Sequence, residues 1–387
     1  ILSLLLALAL ALSVFGSVTA LAAADADGTI KNVIMMIGDG MGENHLKLAV
    51  QEGHMLFMED NADIRGQSKT RSLSARVTDS AAGATALSCG VRNTNGQVCT
   101  YSWDPSGILT RPMIITENAQ AHGMKIGIVT TDTTAGATPA GYSAHVKARG
   151  MAAEITEQQL ETGFDLIWGG AVEETNREAV EAKGLTYIAS KSEMDALTPG
   201  SRSFGQFPGS FWRPELPAED DLPTLEEMTV KAISLLNADN DKGFFLMVEG
   251  AHIDKNSHQT VEGNDYPDKH TRVGNAVKGF DNAIRAAVEF ARADGHTIVV
   301  VTADHETGDL YMENGVYTFH SGSHTGANVP LLVYGCTDLI PQGRAVDNRS
   351  IPGRIAEKLG WSKLEFPKVT AGSFIIRLKQ FLQRTAA

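Results

Sequence analysis

Short apolar runs recur along the chain, separated by segments with a helical period. Most of the runs are rich in β-branched residues and do not alternate with polar ones, which is typical of strands buried on both faces of a sheet. The pattern predicts strands over residues 32–37, 125–131, 164–168, 244–248, 297–302 and 330–334.

Helical patterns fill the intervals between these runs. They predict helices over residues 111–122, 152–161, 225–237 and about 271–293. In the last two, apolar residues recur at intervals of three and four, and Gly295 follows the longest as a stop signal. Strands that alternate with helices predict an α/β fold, a three-layer sandwich with a mostly parallel central sheet.

The domain organisation predicted from the chain is simple. Residues 198–223 are rich in Pro, Gly, Ser and aromatic side chains, which indicates an ordered surface loop within a domain. Since no internal repeat interrupts the strand and helix pattern, residues 25–387 are predicted to form a single catalytic domain.

Composition narrows the class of protein. With 387 residues, 43% of them hydrophobic and 20% charged, the chain can bury a full core. Its net charge of −13 argues against a nucleic-acid binder, because such proteins rely on clustered Lys and Arg.

The N-terminal segment predicts export. Residues 1–24 contain no charged side chain, begin with a Leu-rich run and end in small residues. This indicates a secretory signal peptide whose basic start is missing, so that the protein is secreted or periplasmic; an uncleaved membrane anchor is the alternative.

The chain has three cysteines, Cys89, Cys99 and Cys336. An exported protein permits a bridge between Cys89 and Cys99. Buried free thiols fit the sequence equally well, since a bridge depends on a Cα separation that sequence does not give.

Three acidic residues follow three predicted strands. Asp39, Glu249 and Asp304 come directly after the runs that end at residues 37, 248 and 302. In open α/β sheets ligands bind beyond the carboxyl ends of the strands, so these side chains should converge. Convergent carboxylates repel one another unless cations lie between them, which predicts a metal site.

Histidines near these acids extend the candidate ligand set. Asp254 and His258 are four residues apart, so on a helix they share one face. His324, in a Gly- and Ser-rich loop, could complete their set, with His320 as a rival. One carboxylate and two imidazoles form a ligand set typical of catalytic zinc.

Two further residues fit neighbouring ion sites. His305 is adjacent to Asp304 at a strand end, so both side chains can reach one centre. Thr138 and the remaining acids offer only oxygen, which suits magnesium.

Ser80 opens an Ala-rich segment that predicts a helix. The free amides of a helix N-terminus attract phosphate, although Asp79-Ser80 is also an ordinary helix cap. No histidine flanks Ser80 in the sequence, so activation by a bound metal is a simpler hypothesis than a Ser-His-Asp triad. Arg149 could hold two phosphate oxygens at once, which Lys does less well.

Together these motifs resemble the alkaline phosphatase family, and the resemblance extends from about residue 31 to about residue 335. The five motifs lie at residues 38–42, 79–81, 138–149, 249–258 and 304–326. The resemblance implies hydrolysis of a broad range of phosphate monoesters through a phosphoserine on Ser80, with Arg149 as the phosphate clamp.

The resemblance also implies two zinc ions and one magnesium ion. The implied ligands are Asp254, His258 and His324 for the first zinc, Asp39, Asp304 and His305 for the second, and Asp39, Thr138 and Glu249 for magnesium. Lys255, next to Asp254, is implied to touch phosphate through water.

Two departures from the family pattern change these expectations. Gly136 stands where relatives often carry Asp or His beside magnesium, which leaves the identity and occupancy of the third ion open. The segment between His305 and His324 is short where many relatives carry a large insertion, which implies a compact version whose expected homodimer lacks some of the usual contacts.

Two alternative functions remain at the level of sequence. A phosphodiesterase or other phosphoryl-transfer enzyme would use related metal chemistry, but Arg149 favours a terminal phosphate with free oxygens. A non-catalytic phosphate-binding protein would keep the metals and Arg149 without turnover.

Overall fold

The protein is described by a computed structural model over residues 29–101, 110–173, 175–208, 221–258 and 268–361. Its strands are β1 (Asn32–Gly38), β2 (Ile64–Lys69), β3 (Lys125–Thr133), β4 (Leu166–Gly170), β5 (Thr186–Ile188), β6 (Ser203–Phe207), β7 (Phe244–Gly250), β8 (Thr297–Thr302), β9 (Glu306–Thr307), β10 (Leu310–Glu313), β11 (Val316–Phe319), β12 (His324–Thr325), β13 (Val329–Tyr334) and β14 (Ala345–Asp347).

The helices, numbered in chain order within these ranges, vary widely in length. They are α1 (Glu43–Gln51), α2 (Met58–Asn61), α3 (Ser80–Cys89), α4 (Ile115–Ala121), α5 (Ala137–Ala140), α6 (Ala152–Glu161), α7 (Arg177–Glu181), α8 (Lys191–Asp195), α9 (Leu225–Asn237), α10 (His252–His258), α11 (Lys269–Asp294) and α12 (Ser350–Lys358).

Ten of the strands form one sheet in the order β14-β2-β13-β8-β1-β7-β3-β4-β6-β5. Of the neighbouring pairs described, those between β13 and its neighbours β2 and β8 are antiparallel and the rest are parallel. The predicted α/β fold with a mostly parallel sheet is confirmed.

Successive residues of β1 pack into two separate hydrophobic cores, which explains why apolar and polar residues do not alternate in its sequence. Ile34 and Met36 pack with α1, α9 and α11 on one face of the sheet. Val33, Met35 and Ile37 pack with α4 and α12 on the other. Because side chains alternate across a strand, a strand between two helical layers must be apolar throughout.

Most predicted elements occur where the sequence placed them. The helices at residues 152–161 and 225–237 have the predicted bounds. The first helix does not: it begins at Ile115, not at residue 111. Pro112 disfavours helical backbone in the residue before it, and the Glu117 carboxylate caps the helix by accepting from the Ile114 amide at 2.9 Å.

The surface loop predicted over residues 198–223 is wrong in part. Residues 203–207 form β6, which is buried and pairs with β4 and β5. Two strand partners supply the backbone hydrogen bonds that make this short segment a strand. Residues 209–220 lie outside the described residues, as do residues 1–24 and the segment after residue 361.

Cys89 and Cys99 are buried free thiols, the second of the two alternatives that the sequence allowed. Their sulfur atoms are 3.3 Å apart, between the end of α3 and the loop that follows it. Among the described helices, none has the length and apolar character needed to cross a bilayer.

Candidate active site

The predicted strand-end acids lie together at one edge of the sheet. β1 lies between β7 and β8, with Ile37 in register with Glu249 on one side and Thr302 on the other. Asp39 donates its amide to the Gly250 carbonyl at 3.2 Å, and the Gly40 amide donates to Asp304 Oδ1 at 3.2 Å. The three strand ends therefore form one acidic site.

Gly40 lets the turn after β1 press against α10. Its φ of +72° lies in the left-handed region that favours glycine. A Cβ at this position would lie 2.8 Å from the Asp254 Cβ and 2.8 Å from the Thr307 hydroxyl oxygen. The Gly-Asp-Gly sequence thus brings Asp39 beside Asp254.

Asp254, His258 and His324 form one potential ion site, with three ligand atoms within 4.8 Å of one another. Asp254 Oδ1 lies 3.2 Å from His258 Nε2 and 3.5 Å from His324 Nε2. The Nδ1 atoms contact the Gly322 carbonyl at 2.6 Å and the Thr78 carbonyl at 3.0 Å.

These backbone contacts orient both rings for metal binding. A carbonyl oxygen only accepts, so each Nδ1 carries a hydrogen, and each ring would offer an Nε2 lone pair to a metal ion that displaces any proton from that atom. The rival His320 lies elsewhere, stacked on Tyr311 at a centroid distance of 3.6 Å.

His305 Nε2 is the meeting point of a second group. It lies 3.3 Å from Asp304 Oδ2 and 3.5 Å from Asp39 Oδ1. The Ser80 hydroxyl oxygen is 3.2 Å from the same nitrogen. In a Ser-His-Asp triad the carboxylate holds the ring nitrogen that faces away from the serine. Acids and serine that share one nitrogen instead surround a common centre, as metal ligands do.

Several buried oxygens in this cluster have no hydrogen bond. They are Asp39 Oδ1, Asp304 Oδ2, Thr138 Oγ1 and Glu249 Oε1. Buried polar atoms are normally paired, and an oxygen left without a donor is suited to a cation. The donor set therefore fits the metal ions that the sequence predicts.

The pKa values of the acids at this edge also indicate that the site lacks positive charge. Burial and repulsion from Asp304 raise the pKa of Asp39 well above its usual range. Burial and the Asp132 carboxylate raise the pKa of Glu249 to about 8. Burial would also raise the pKa of Asp254, but hydrogen bonds from His258 and Thr307 lower it. Cations at this edge would keep all three acids ionised.

Ser80 is the first residue of α3, as predicted, and Asp79 is its N-cap. Asp79 Oδ1 accepts from the Ala82 amide at 3.0 Å. Asp79 can therefore cap the helix while the helix N-terminus, with Ser80 as its first residue, faces the site and remains suited to binding phosphate.

Arg149 is held beside the same cap. Its Nη1 lies 3.3 Å from Asp79 Oδ2, and its amide donates to the Gly96 carbonyl at 2.7 Å. The side chain is 43% exposed, so a ligand can reach it. A cleft of about 630 Å³ opens next to it, with walls that include Met151, Glu154 and Val172.

Sequence reasoning missed two polar residues of the site. Thr307 hydrogen-bonds Asp254. Asp132 binds Lys255, with 2.6 Å between Oδ1 and Nζ. Asp132 directly follows the strand predicted to end at residue 131, so the rule that found Asp39 also applies to it.

Comparison with known proteins agrees with this geometry. A family model described as alkaline phosphatase matches residues 30–173 and 161–338. Alkaline phosphatase 4 of Bacillus subtilis is 32% identical over 322 residues, a match that covers 76% of this chain and 65% of that protein. The chain therefore spans slightly less than two thirds of that relative.

Two further matches cover more of their own length. Streptomycin-6-phosphate phosphatase of Streptomyces griseus is 30% identical over 424 residues, covering 85% of this chain and 90% of that protein. The structure of alkaline phosphatase from the Antarctic bacterium TAB5 is 28% identical with a TM-score of 0.71, covering 87% of this chain and 100% of that chain. This chain belongs to the alkaline phosphatase family.

Proposed function

We propose that the chain hydrolyses phosphate monoesters through a phosphoserine on Ser80. The observation that carries the proposal is the position of the Ser80 hydroxyl, 3.2 Å from His305 Nε2 at the centre of the acidic edge. Family membership supports the same reaction.

The chain's own residues divide the work of the reaction. The Ser80 hydroxyl gives up its proton as its oxygen attacks phosphorus, the bond from phosphorus to the ester oxygen breaks, and that oxygen takes up a proton and leaves as the alcohol. Water then attacks the phosphorus of the phosphoserine and loses a proton, the bond from phosphorus to the Ser80 oxygen breaks, and inorganic phosphate leaves as the Ser80 hydroxyl is restored. Arg149 holds two non-bridging oxygens through both steps, because its planar fork matches their geometry.

We propose two zinc ions and one magnesium ion as cofactors. Asp254, His258 and His324 would hold one zinc, Asp39, Asp304 and His305 the other, and Asp39, Thr138 and Glu249 magnesium. When bound, such ions supply Lewis-acid stabilisation to the attacking and leaving oxygens. A solved variant of the TAB5 enzyme has Mg bound in its M3 site, which supports a magnesium site in this family.

Broad monoester specificity is proposed from the shape of the site. The Arg149 side chain is 43% exposed, so an organic group attached to a phosphate held there could extend into solvent. The relative named for streptomycin-6-phosphate makes a cationic sugar phosphate an informative test substrate.

Export and assembly are also proposed. The uncharged residues 1–24 support secretion through a signal peptide. Membership of the family supports a homodimer.

The test is hydrolysis of an aryl phosphate monoester and its matching diester. Metal-replete wild type should prefer the monoester and lose activity in a chelator. Ser80→Ala should lose at least about 10³-fold in kcat, since the nucleophile is gone. Ser88→Ala is the matched control, because Ser88 is buried in the same helix and bonds only cysteine sulfurs among its described partners.

Each other outcome points to a rival function. Preference for the diester would support a phosphodiesterase. Phosphate binding by calorimetry without turnover would support a phosphate-binding protein. Equal losses in Ser80→Ala and Ser88→Ala would remove Ser80 as the nucleophile.

A further inference from the structure

The space beside Gly136 is filled by another residue's side chain. A Cβ at Gly136 would lie 2.8 Å from Asp132 Cγ, and closer still to Oδ2. Real Cβ atoms do not approach other atoms so closely, so residue 136 has no room for a side chain while Asp132 keeps this rotamer. Gly136 lies two residues before Thr138, at the start of α5.

The Asp132 carboxylate is fixed in this space by two donors. Lys255 Nζ lies 2.6 Å from its Oδ1, and the Thr133 amide donates to the same oxygen at 2.8 Å. The Asp132 side chain is 18% exposed and that of Lys255 is 42% exposed, so the pair is accessible to solvent at its Lys255 end.

Asp132 is also connected to the oxygen-only part of the site. Its amide donates to Thr130 Oγ1 at 2.8 Å, and the Thr130 hydroxyl donates to Glu249. The Glu249 Oε1 and Thr138 Oγ1 atoms are buried without a hydrogen bond. Asp132 thus connects through Thr130 to Glu249, one of the two residues whose unsatisfied oxygens suit a hard cation.

We propose that Asp132 is a positioning residue for a divalent cation bound by Thr138 and Glu249. It occupies the space that Gly136 leaves and adds negative charge beside Glu249. It also keeps the Lys255 ammonium group on itself and away from Glu249 and Asp39, which lie close enough to attract that group. The inference rests on the proposed function, since this subsite belongs to the same centre.

The test is magnesium binding to the zinc-loaded full chain, measured by isothermal titration calorimetry. Asp132→Ala should weaken magnesium binding tenfold or more, because it removes a carboxylate and releases Lys255 toward the site. Zinc content, measured by elemental analysis, should stay at the wild-type value, because Asp132 contacts none of the histidines proposed to hold zinc.

A rescue variant distinguishes the loss of a carboxylate at this place from a general loss of structure. In Asp132→Ala combined with Gly136→Asp, the new carboxylate starts in the space that Asp132 vacates, so magnesium affinity should return to within about threefold of wild type. Gly136→Asp alone should not strengthen binding, because the two side chains would collide. Asp195→Ala removes a Lys–Asp ion pair that includes none of the residues proposed to bind metal and should leave affinity unchanged.

The inference would be overturned by wild-type magnesium affinity in Asp132→Ala, by the absence of magnesium binding in wild type, or by a double variant no better than Asp132→Ala. A wild type that binds magnesium but hydrolyses no monoester would sink the proposed function alone, leaving the assignment of Asp132 intact.

Discussion

Arg149 shows how one side chain links the fold to the chemistry. Asp79 caps α3 with one carboxylate oxygen and holds the Arg149 guanidinium with the other. A single acid therefore sets both the start of the helix that carries the proposed nucleophile, Ser80, and the position of the proposed phosphate clamp, Arg149.

The shape of this clamp gives a first prediction. Arg149→Lys keeps the charge but loses the two-pronged contact with phosphate, so we expect KM for a monoester to rise about tenfold, with a smaller fall in kcat. Steady-state kinetics on an aryl phosphate would measure both. Arg177→Lys, at a surface ion pair, is the matched control and should change neither value. Unchanged KM in Arg149→Lys would rule out a bidentate clamp.

His145 gives a second prediction, on stability. Burial lowers its pKa most strongly, but the hydrogen bond and charge of Glu117, together with contacts to Cys99, outweigh burial and raise the pKa above 6.5. Burial raises the pKa of Glu117, but the same bond, the charge of His145 and the hydrogen bond from the Ile114 amide together lower it below 4.5. The stabilisation from His145 is thus lost as pH rises through its raised pKa, and that from Glu117 is lost as pH falls through its lowered pKa.

His145→Asn should therefore lower the free energy of unfolding most between about pH 4.5 and pH 6.5. The loss should be roughly 1 kcal/mol there, given the partial exposure of Glu117, and smaller at pH 9. Asn retains a donor for the Cys99 carbonyl, so the Glu117 contact is the one removed. Urea unfolding at several pH values measures the difference. His54→Asn, which loses a contact to the neutral Asn275, is the matched control for the loss of a partly buried histidine. A loss of unfolding free energy that grew with pH would contradict the pairing of His145 with Glu117.

At the scale of elements, the turn between β1 and α1 gives a third prediction. Gly40 and Gly53 both have positive φ, of 72° and 91°, but no atom lies within 4 Å of a Cβ added at Gly53. Gly53→Ala should therefore cost about 1 kcal/mol from backbone strain alone. Gly40→Ala should cost at least about 2 kcal/mol, because its Cβ also meets Asp254 and Thr307.

Denaturant unfolding of the two variants compares these costs directly. Because the Gly40 turn presses on Asp254, its substitution should also reduce the zinc retained after dialysis. Equal costs and equal zinc contents would show that steric contact at Gly40 has no part in the site.

The elements that the sequence predicted well are those whose environment is uniform. β1, β7 and β8 are buried on both faces, so their apolar runs are unambiguous. β2, with the sequence Ile-Arg-Gly-Gln-Ser-Lys, has no such run and becomes a strand by pairing with β13 and β14. Pairing partners far apart in sequence determine such a strand, and local pattern does not contain them.

The same contrast applies to the site. The strand-end rule located Asp39, Glu249 and Asp304, because parallel strands must end at one edge. It did not separate His320 from His324, which lie four residues apart in one Gly- and Ser-rich segment. The pairing of β12 with β9 places His324 opposite Thr307 and beside Asp254, while His320 stacks on Tyr311.

For the whole molecule, the cluster of buried acids leads us to expect that stability depends on bound cations. Metal-free protein should lose stability as pH rises from 5 to 8. The folded-state pKa values of Asp39 and Glu249 are raised above 3.8 and 4.5, that of Glu249 to about 8. Stabilisation from a raised carboxyl pKa is complete below the unfolded-state value and is lost as pH passes the folded-state value.

Thermal unfolding of dialysed, metal-free protein at pH 5, 6, 7 and 8 measures this loss. We expect Tm to fall by about 5 °C or more across the series, since one unit of pKa corresponds to about 1.4 kcal/mol. Glu249→Gln should flatten the fall, because its amide carries no charge to desolvate. Added zinc and magnesium should raise Tm most at pH 8, where the acids are ionised and bind cations best. A Tm that stays level in metal-free wild type, or falls equally in Glu249→Gln, would mean that another group carries the pH dependence.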